Sequence, residues 1–278
     1  MKRIKVIVPI PMDADGVAAR AEQLPADFVR SGFRPEFVAV PWGAALGDSY
    51  HDTLLMDWTV FQAGIKAEEE GYAGVLIDTV SDSGLRALRS RLSIPVVGPG
   101  EAAFAAAMML GKKFTVLTMW PEWFPLYEKT LTEYGWWDRV ASLRSIDTRP
   151  DVTELLAGKE EVIFDKLKAE AMLAIEEDGA DVIVLGSTTM HQSARYLADN
   201  LPIPVLNPGQ VLNCFAPDAI LHKATSDTIH KGRDAISAMF EKLFADFEQI
   251  WHGNFVHSAD PESNAVCSQF TVLITPNG

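Results

Sequence analysis

Two short stretches carry the densest collection of side chains able to do chemistry. Asp78-Thr79-Val80-Ser81-Asp82-Ser83 follows the apolar run 74–77, and Ser187-Thr188-Thr189-Met190-His191 follows Val182–Leu185 and Gly186. Each places hydroxyls and titratable groups directly after a run with the length and apolarity of a buried strand. Aliphatic hydroxyls are poor bases and need an adjacent base to act as nucleophiles. They are good hydrogen-bond donors, and in turns that open helices they join free backbone N–H groups in holding a carboxylate or an enolate. The same residue types are also ordinary helix N-caps. Two such turns in one chain favour a pocket, lined by Thr79, Ser81, Ser187, Thr188 and Thr189.

Ionisable neighbours would move protons. His191 lies four residues after Ser187, about one helical turn on, and is read as an acid or base returning toward the site; a core or surface histidine is the alternative. Asp78 precedes Thr79 at the strand end and joins Thr79, Ser187 and His191 as a catalytic candidate. Asp13 and Asp15 follow the first strand-like run and could reach the same cleft, Asp13 as a substrate contact. Asp82 reads as a helix cap, and Glu101 as a carboxylate complementing a helix N-terminus. His51 is a further candidate for substrate or metal contact. Trp120, Trp123 and Tyr127 follow the run 114–119 and are expected to wall the pocket, Trp120 and Tyr127 as substrate contacts; core or interface aromatics are the alternative. Glycines at 98 and 100 lack the GxGxxG spacing, and no HExxH or Cys/His cluster occurs. Neither a cofactor nor a metal is expected.

The elements that must position these residues follow from periodicity. Apolar runs at 4–10, 33–42, 73–79, 94–98, 114–119, 181–187 and 203–207 alternate with helix formers at 53–71, 84–92, 101–111, 160–178 and 190–200. Strands alternating with helices of this length predict an α/β fold with mostly parallel sheets covered on both faces. The segment 68–102 also repeats as 176–211: an acidic helix end, a Gly, an apolar strand, a hydroxyl-rich turn, a helix, then Ile-Pro-Val and Pro-Gly. Thr79 falls on Ser187, 108 positions on. Two copies predict two similar lobes. Ligands in such sheets sit beyond the strand carboxyl ends, so the two turns would face one cleft, helped by the partial positive charge of the helices that follow. Residues 1–100 with 208–251 are assigned to the first lobe, 101–207 to the second and 252–278 to a tail packing on a neighbouring copy or an edge. Residues 212–251 read as helical, and 269–275 as a strand.

Composition narrows the partners. With 24 basic against 38 acidic residues the net charge is −14, which argues against nucleic acid or an anionic membrane as the main partner. A small anionic substrate is still accommodated by backbone N–H groups. The N-terminal apolar run is too short for a signal-peptide core or a membrane span. The two cysteines, Cys214 and Cys267, show no metal-ligand or CxxC spacing, and the expected location is cytoplasmic.

In the order and spacing of "GDSYHD" (47–52), "GYAGVLIDTVSDSGL" (71–85), "PVVGPGEAA" (95–103), "FTVLTM" (114–119), "GADVIVLGSTTM" (179–190) and "PVLNPG" (204–209), the chain resembles the aspartate/glutamate/hydantoin racemase superfamily, most closely its hydantoin racemase-like branch, over roughly 4–245. The resemblance implies two flavodoxin-like lobes related by a pseudo-twofold axis, with the active site between them. It also implies chemistry at a carbon next to a carbonyl, where typical members use one cysteine on each lobe. Here Thr79 and Ser187 stand at those two positions, and Asp82-Ser83-Gly84 stands for the usual Asp-Pro-Gly. A thiol can be tuned into a base at neutral pH, whereas a hydroxyl cannot.

The expected function is therefore a cofactor-free isomerase, racemase or lyase acting on a small carboxylate or cyclic amide, with a hydroxyl-lined anion pocket replacing the two thiols. Hydrolysis of a cyclic amide or lactone, and non-catalytic binding of a small carboxylate, are the alternatives. A homo-oligomer is compatible with the tail. Because Cys214 and Cys267 fit neither lobe's position, the double variant Cys214→Ser, Cys267→Ser should retain turnover and resist thiol reagents, as an assay before and after alkylation would show.

Overall fold

The computed structural model describes residues 1–24, 32–151, 160–211, 220–223, 228–231, 247–260 and 265–276. The chain divides into two compact units, Met1–Asn213 and Cys214–Gly278.

The first unit holds two parallel sheets of the same design. One contains β1 (Lys2–Val8), β2 (Phe33–Ala39), β3 (Gly74–Ile77) and β4 (Val96–Val97), in the order β2-β1-β3-β4. Its helices are α1 (Ala14–Glu22), α2 (Tyr50–Gly64) and α3 (Leu85–Arg89). After α4 (Pro99–Leu110) comes the second sheet, β6-β5-β7-β8, from β5 (Phe114–Thr118), β6 (Val140–Ser145), β7 (Val182–Leu185) and β8 (Val205–Leu206). Its helices are α5 (Phe124–Tyr134), α6 (Phe164–Glu176) and α7 (His191–Asn200), with the short α8 (Pro208–Val211) packed on α4. The expected two-sheet α/β architecture and its internal repeat are both present.

The repeat extends to its punctuation. Gly71 and Gly179, ahead of β3 and β7, both adopt left-handed φ, +79° and +72°, which glycine takes without a Cβ penalty. Pro99 and Pro208 open the helices after β4 and β8, where the missing N–H costs nothing.

Strand alternation builds the core around the second sheet. Ile183 and Leu185 of β7 face Leu167, Ala171 and Ala174 of α6 and Leu197 of α7. Val182 and Val184 face Ala103, Phe104 and Ala107 of α4 and Leu131 of α5. All four β7 residues are fully buried, as expected of a parallel strand covered on both faces. In the first sheet, Ile7, Val75 and Ile77 pack with Val60 of α2 and Leu85 and Leu88 of α3. Register then levels the strand ends. Ile7 pairs with Ile77 and Leu117 with Leu185, so each sheet delivers its central loops at one carboxyl edge.

The second unit departs from the expectation of a helical 212–251. Residues 220–223 (β9) and 228–231 (β10) form one antiparallel pair, and β11 (Phe247–Asp260) pairs antiparallel with β12 (Ala265–Pro276). Hairpin partners close in sequence satisfy backbone groups locally and override a weak helix propensity. The rest of 212–251, including Cys214, lies outside the described residues. The strand expected at 269–275 is part of β12. The boundary between the compact units falls at Asn213, inside the stretch assigned to the first lobe. Among the described residues no helix is long and apolar enough to cross a membrane.

Leu117 is fully buried on central strand β5. Its replacement by Ala should cost about 2–5 kcal/mol of stability, read as a lowered urea midpoint.

Candidate active site

The loops after β1, β3 and β7 meet in a cleft of about 120 Å³ within the first unit. Val8, Pro9 and Ile10 come from the end of β1, Asp78 to Ser81 from β3, and Gly186 to Thr189 from β7. Thr79 and Ser187, repeat-equivalent in the sequence, thus line one cavity. The facing wall is apolar, with Leu46, Met56, Trp123 and Leu126 among its residues. Trp123 is fixed there by its indole N–H, which donates to the Leu46 carbonyl at 2.8 Å.

The two turns match at the level of atoms. Thr79 Oγ1 and Ser81 Oγ share a hydrogen bond of 3.0 Å, and Ser187 Oγ and Thr189 Oγ1 share one of 2.8 Å. In each turn the backbone N–H two residues on also donates to the first hydroxyl, at 3.4 Å from Ser81 and 3.3 Å from Thr189. Ser83 extends the first pair into a chain, 2.9 Å from Ser81 Oγ. With each first oxygen already accepting from the backbone, its own proton is available to the partner hydroxyl or to a ligand oxygen.

Tyr127 is both wall and brace. It lines the cleft and is fully buried, and its hydroxyl donates to the Gly186 carbonyl at 2.7 Å while lying 2.8 Å from Thr118 Oγ1. Burial pushes its phenol well above the usual range, so it serves as a fixed donor. A Cβ on Gly186 would lie 2.4 Å from that hydroxyl and 2.7 Å from Thr118 Cβ, so the turn enters the cleft only with glycine there.

Arg20 is the residue that sequence reasoning missed. It lies in an alanine-rich amphipathic helix, where an arginine is ordinarily a solvated residue. Here its side chain is 5% exposed and faces the cleft, forked onto Asp78, itself 6% exposed. Arg20 Nε donates to Asp78 Oδ2 at 2.7 Å and Nη2 to Oδ1 at 2.8 Å. The only sequence signal was Asp78, a carboxylate expected to be buried at a strand end and so in need of a cation.

The N-termini of α4 and α7 are occupied from within. Asp82, at a left-handed φ of 49°, accepts from the Gly100 and Glu101 N–H groups of α4 at 2.9 and 2.7 Å and from Tyr134 Oη at 3.0 Å. It therefore caps α4 as well as turning the chain into α3. Glu160 accepts from Gln192 and Ser193 N–H of α7 at 3.2 and 2.8 Å. Anion binding in the cleft therefore rests on the turns themselves, because unpaired helix N–H groups attract the chain's own buried carboxylates first.

Other expected residues sit around the cleft rather than on it. Asp13 is exposed and caps α1 through Gly16 N–H at 2.9 Å, and Asp15 is exposed in the first turn of α1. Trp120 packs on the second-sheet core, with Arg149 5.5 Å from its ring centre. Glu101 pairs with Arg89, and His51, 75% exposed, lies 3.0 Å from Asp52. His191 opens α7 with both ring nitrogens buried and, among the described residues, without a hydrogen-bond partner. Burial, with Arg20 nearby and Asp78 opposing, lowers its pKa to about 4, so the imidazole is neutral at physiological pH. It is not among the lining residues.

Comparison with known proteins places this geometry. The family model described as Asp/Glu/hydantoin racemase matches residues 17–213. The chain belongs to the Asp/Glu/hydantoin racemase family. It is 32% identical over 205 residues to a hydantoin racemase from Pseudomonas sp. (strain NS671), covering 74% of this chain and 80% of that protein. Among solved structures it is similar to an allantoin racemase from Klebsiella pneumoniae, with a TM-score of 0.68 and 26% identity over 77% of this chain and 85% of that one. A glutamate racemase from Bacillus anthracis, 17% identical with a TM-score of 0.56 over 77% of this chain and 79% of that one, shares the fold. Members of the Asp/Glu/hydantoin racemase family thus supply the two-lobed frame, and this chain fills the lobe-equivalent positions with hydroxyls; no cysteine is among the described lining residues.

Two buried groups couple stability to pH in opposite directions. Burial raises Asp82 from 3.8 to about 7, against the opposing α4 and Tyr134 hydrogen bonds and with Glu101 adding to the rise. Its contribution is complete below about pH 4 and is lost as pH rises through about 7. His191 is shifted the other way, so its contribution is complete above about pH 6.5 and is lost as pH falls toward about 4. Between about pH 4 and 6.5 the two slopes oppose each other, so wild-type melting temperature should vary little, whereas Asp82→Asn should uncover a fall toward acid pH and His191→Leu a fall toward alkaline pH.

Proposed function

We propose that this protein is an enzyme acting at a carbon next to a carbonyl in a small carboxylate or cyclic amide, forming or protonating an enolate-like anion held between two hydroxyl turns. The observation that carries the reading is that the Thr79–Ser81 and Ser187–Thr189 pairs, one from each sheet, line the same cleft with matching hydrogen bonds. One pair on each side suits a reacting carbon presented between them. Thr188 contributes backbone polarity beside Ser187, and Tyr127 holds that turn against the cleft. The names of the similar hydantoin and allantoin racemases support a cyclic amide or ureide as substrate. With hydroxyls in the positions of the family's thiols, the chain's part is to stabilise negative charge, which donors aimed at a developing oxyanion do well. We include in the proposal that this chemistry needs no added cofactor, that the enzyme is cytoplasmic, and that the partner is this substrate rather than nucleic acid or a membrane.

A specific observation favours a lyase within this class. Asp78, the carboxylate among the described lining residues, has both oxygens engaged by Arg20. In this reading Asp78 is engaged by Arg20 rather than aimed at a reacting carbon, and His191 is not among the described lining residues. Cleaving a carbon–carbon bond leaves its electron pair on the substrate carbon without a base. Only anion stabilisation and a final proton donor are then required.

The test incubates the protein in D2O with 5-substituted hydantoins, allantoin and 2-substituted malonates, followed by mass spectrometry and chiral chromatography. Deuterium wash-in with inversion supports racemisation, and deuterated product after loss of a carbon fragment supports the lyase. Ring opening without wash-in would replace the proposal by hydrolysis, and binding with neither by a carboxylate-binding protein. Thr79→Ala and Ser187→Ala should each lower turnover about 10²–10³-fold with melting temperature nearly unchanged.

A further inference from the structure

We infer that Arg20 is a positioning residue that sets the gap between the two hydroxyl turns. The inference rests on the proposed role of those turns. One guanidinium touches the immediate neighbour of each leading hydroxyl. Its fork grips the carboxylate of Asp78, the residue before Thr79, at 2.7 and 2.8 Å. Nη2 also donates to the carbonyl of Thr188, the residue after Ser187, at 3.4 Å. Asp78 belongs to the end of the first sheet and Thr188 to the end of the second, 168 residues apart from Arg20 in the chain. The guanidinium is therefore a strut between the sheets at the floor of the cleft.

The strut is itself held. Nη1 donates to Gln23 Oε1, one turn along α1, at 3.2 Å, and the group lies 5.9 Å over the Phe37 ring of β2. The Asp78 backbone N–H donates to Ile7 in β1 at 2.9 Å, so both ends of the ion pair are tied to the first sheet. A planar fork has the shape for this task, because it fixes direction as well as distance, and lysine would supply only a point charge. Asp78 in this reading neutralises and aims Arg20.

Full-length protein with Arg20→Met, Arg20→Lys, or Arg20→Met combined with Asp78→Leu tests the inference. The single Arg20→Met change strands a buried carboxylate and should lower the melting temperature. The double change replaces the ion pair by apolar side chains and should restore it, as such exchanges of buried pairs often do. Amide hydrogen exchange then separates positioning from stability. In the double variant, exchange at 187–190 should accelerate about tenfold or more while β5 and β7 stay protected, since local opening follows local contacts. Turnover, read by wash-in with 5-benzylhydantoin and loss of carbon dioxide from phenylmalonate, should stay about 10²-fold low with KM within a few-fold. Arg20→Lys should recover less than a tenth of it. Unchanged exchange at 187–190 in the double variant, or turnover returning together with melting temperature, would overturn the role of Arg20. If the wild type acts on no substrate, the proposed function fails, and the exchange measurement still decides whether Arg20 holds the turn.

Discussion

Parallel pairing of β1 with β3 and of β5 with β7 is the constraint from which the rest of the first unit follows. A parallel strand cannot turn back directly, so every loop that leaves its carboxyl end must feed a crossover helix on one face of the sheet. With Ile7 level with Ile77 and Leu117 level with Leu185, the loops after the central strands emerge together. The hydroxyl turns are the first residues past those ends. Their place in one cleft is thus a consequence of strand register, and of full burial of Val182 to Leu185, which admits no slip by one residue without turning valine and leucine into the wrong layer.

Burial at that edge is polar as well as apolar, and three buried carboxylates there each have partners. Asp82 caps α4 and receives Tyr134, Glu160 caps α7, and Arg20 takes Asp78. Using carboxylates of its own to close the starts of α4 and α7 removes those sites from ligand binding and leaves the two hydroxyl pairs, beside the Arg20–Asp78 pair, among the polar groups lining the cavity. Glycine is the other requirement of this crowding. A Cβ on Gly100 would lie 2.1 Å from the Val80 carbonyl, and one on Gly98 would lie 2.3 Å from Asp82 Oδ1, so the Gly-Pro-Gly of the first repeat is what lets Asp82 approach α4.

Hydroxyls at the repeat-equivalent positions Thr79 and Ser187 decide what the cleft can contribute. A hydroxyl flanked by a backbone N–H and a second hydroxyl is a donor whose direction is set before any ligand arrives. Preorganised donors stabilise charge without reorganising, whereas taking a proton from carbon needs a base near the working pH. The apolar wall of Leu46, Met56, Trp123 and Leu126 strengthens the same bias, since a low-polarity surrounding magnifies each hydrogen bond to an anion.

The sequence by itself determined the α/β class, the two-fold repeat, the strand ends and the hydroxyls of both turns, because these rest on local periodicity and on short-range order along the chain. Strands such as Val182–Leu185 announce themselves by composition, and Thr79 and Ser187 are found by aligning one copy of the repeat on the other. What only the tertiary structure decided depends on partners distant in the chain. Arg20 meets Asp78 across 58 residues, and nothing in the pattern of α1 marks that arginine as buried. His191, four positions from Ser187, is not one helical turn on from it, because the chain from Ser187 to Met190 precedes the helix, which begins only at His191 itself. Asp13 and Trp120 likewise satisfied their types locally, one as a helix cap and one in the core. The helical reading of 212–251 failed where antiparallel partners became available. Local chemistry names the groups that could act, and only long-range packing determines which of them share a cavity.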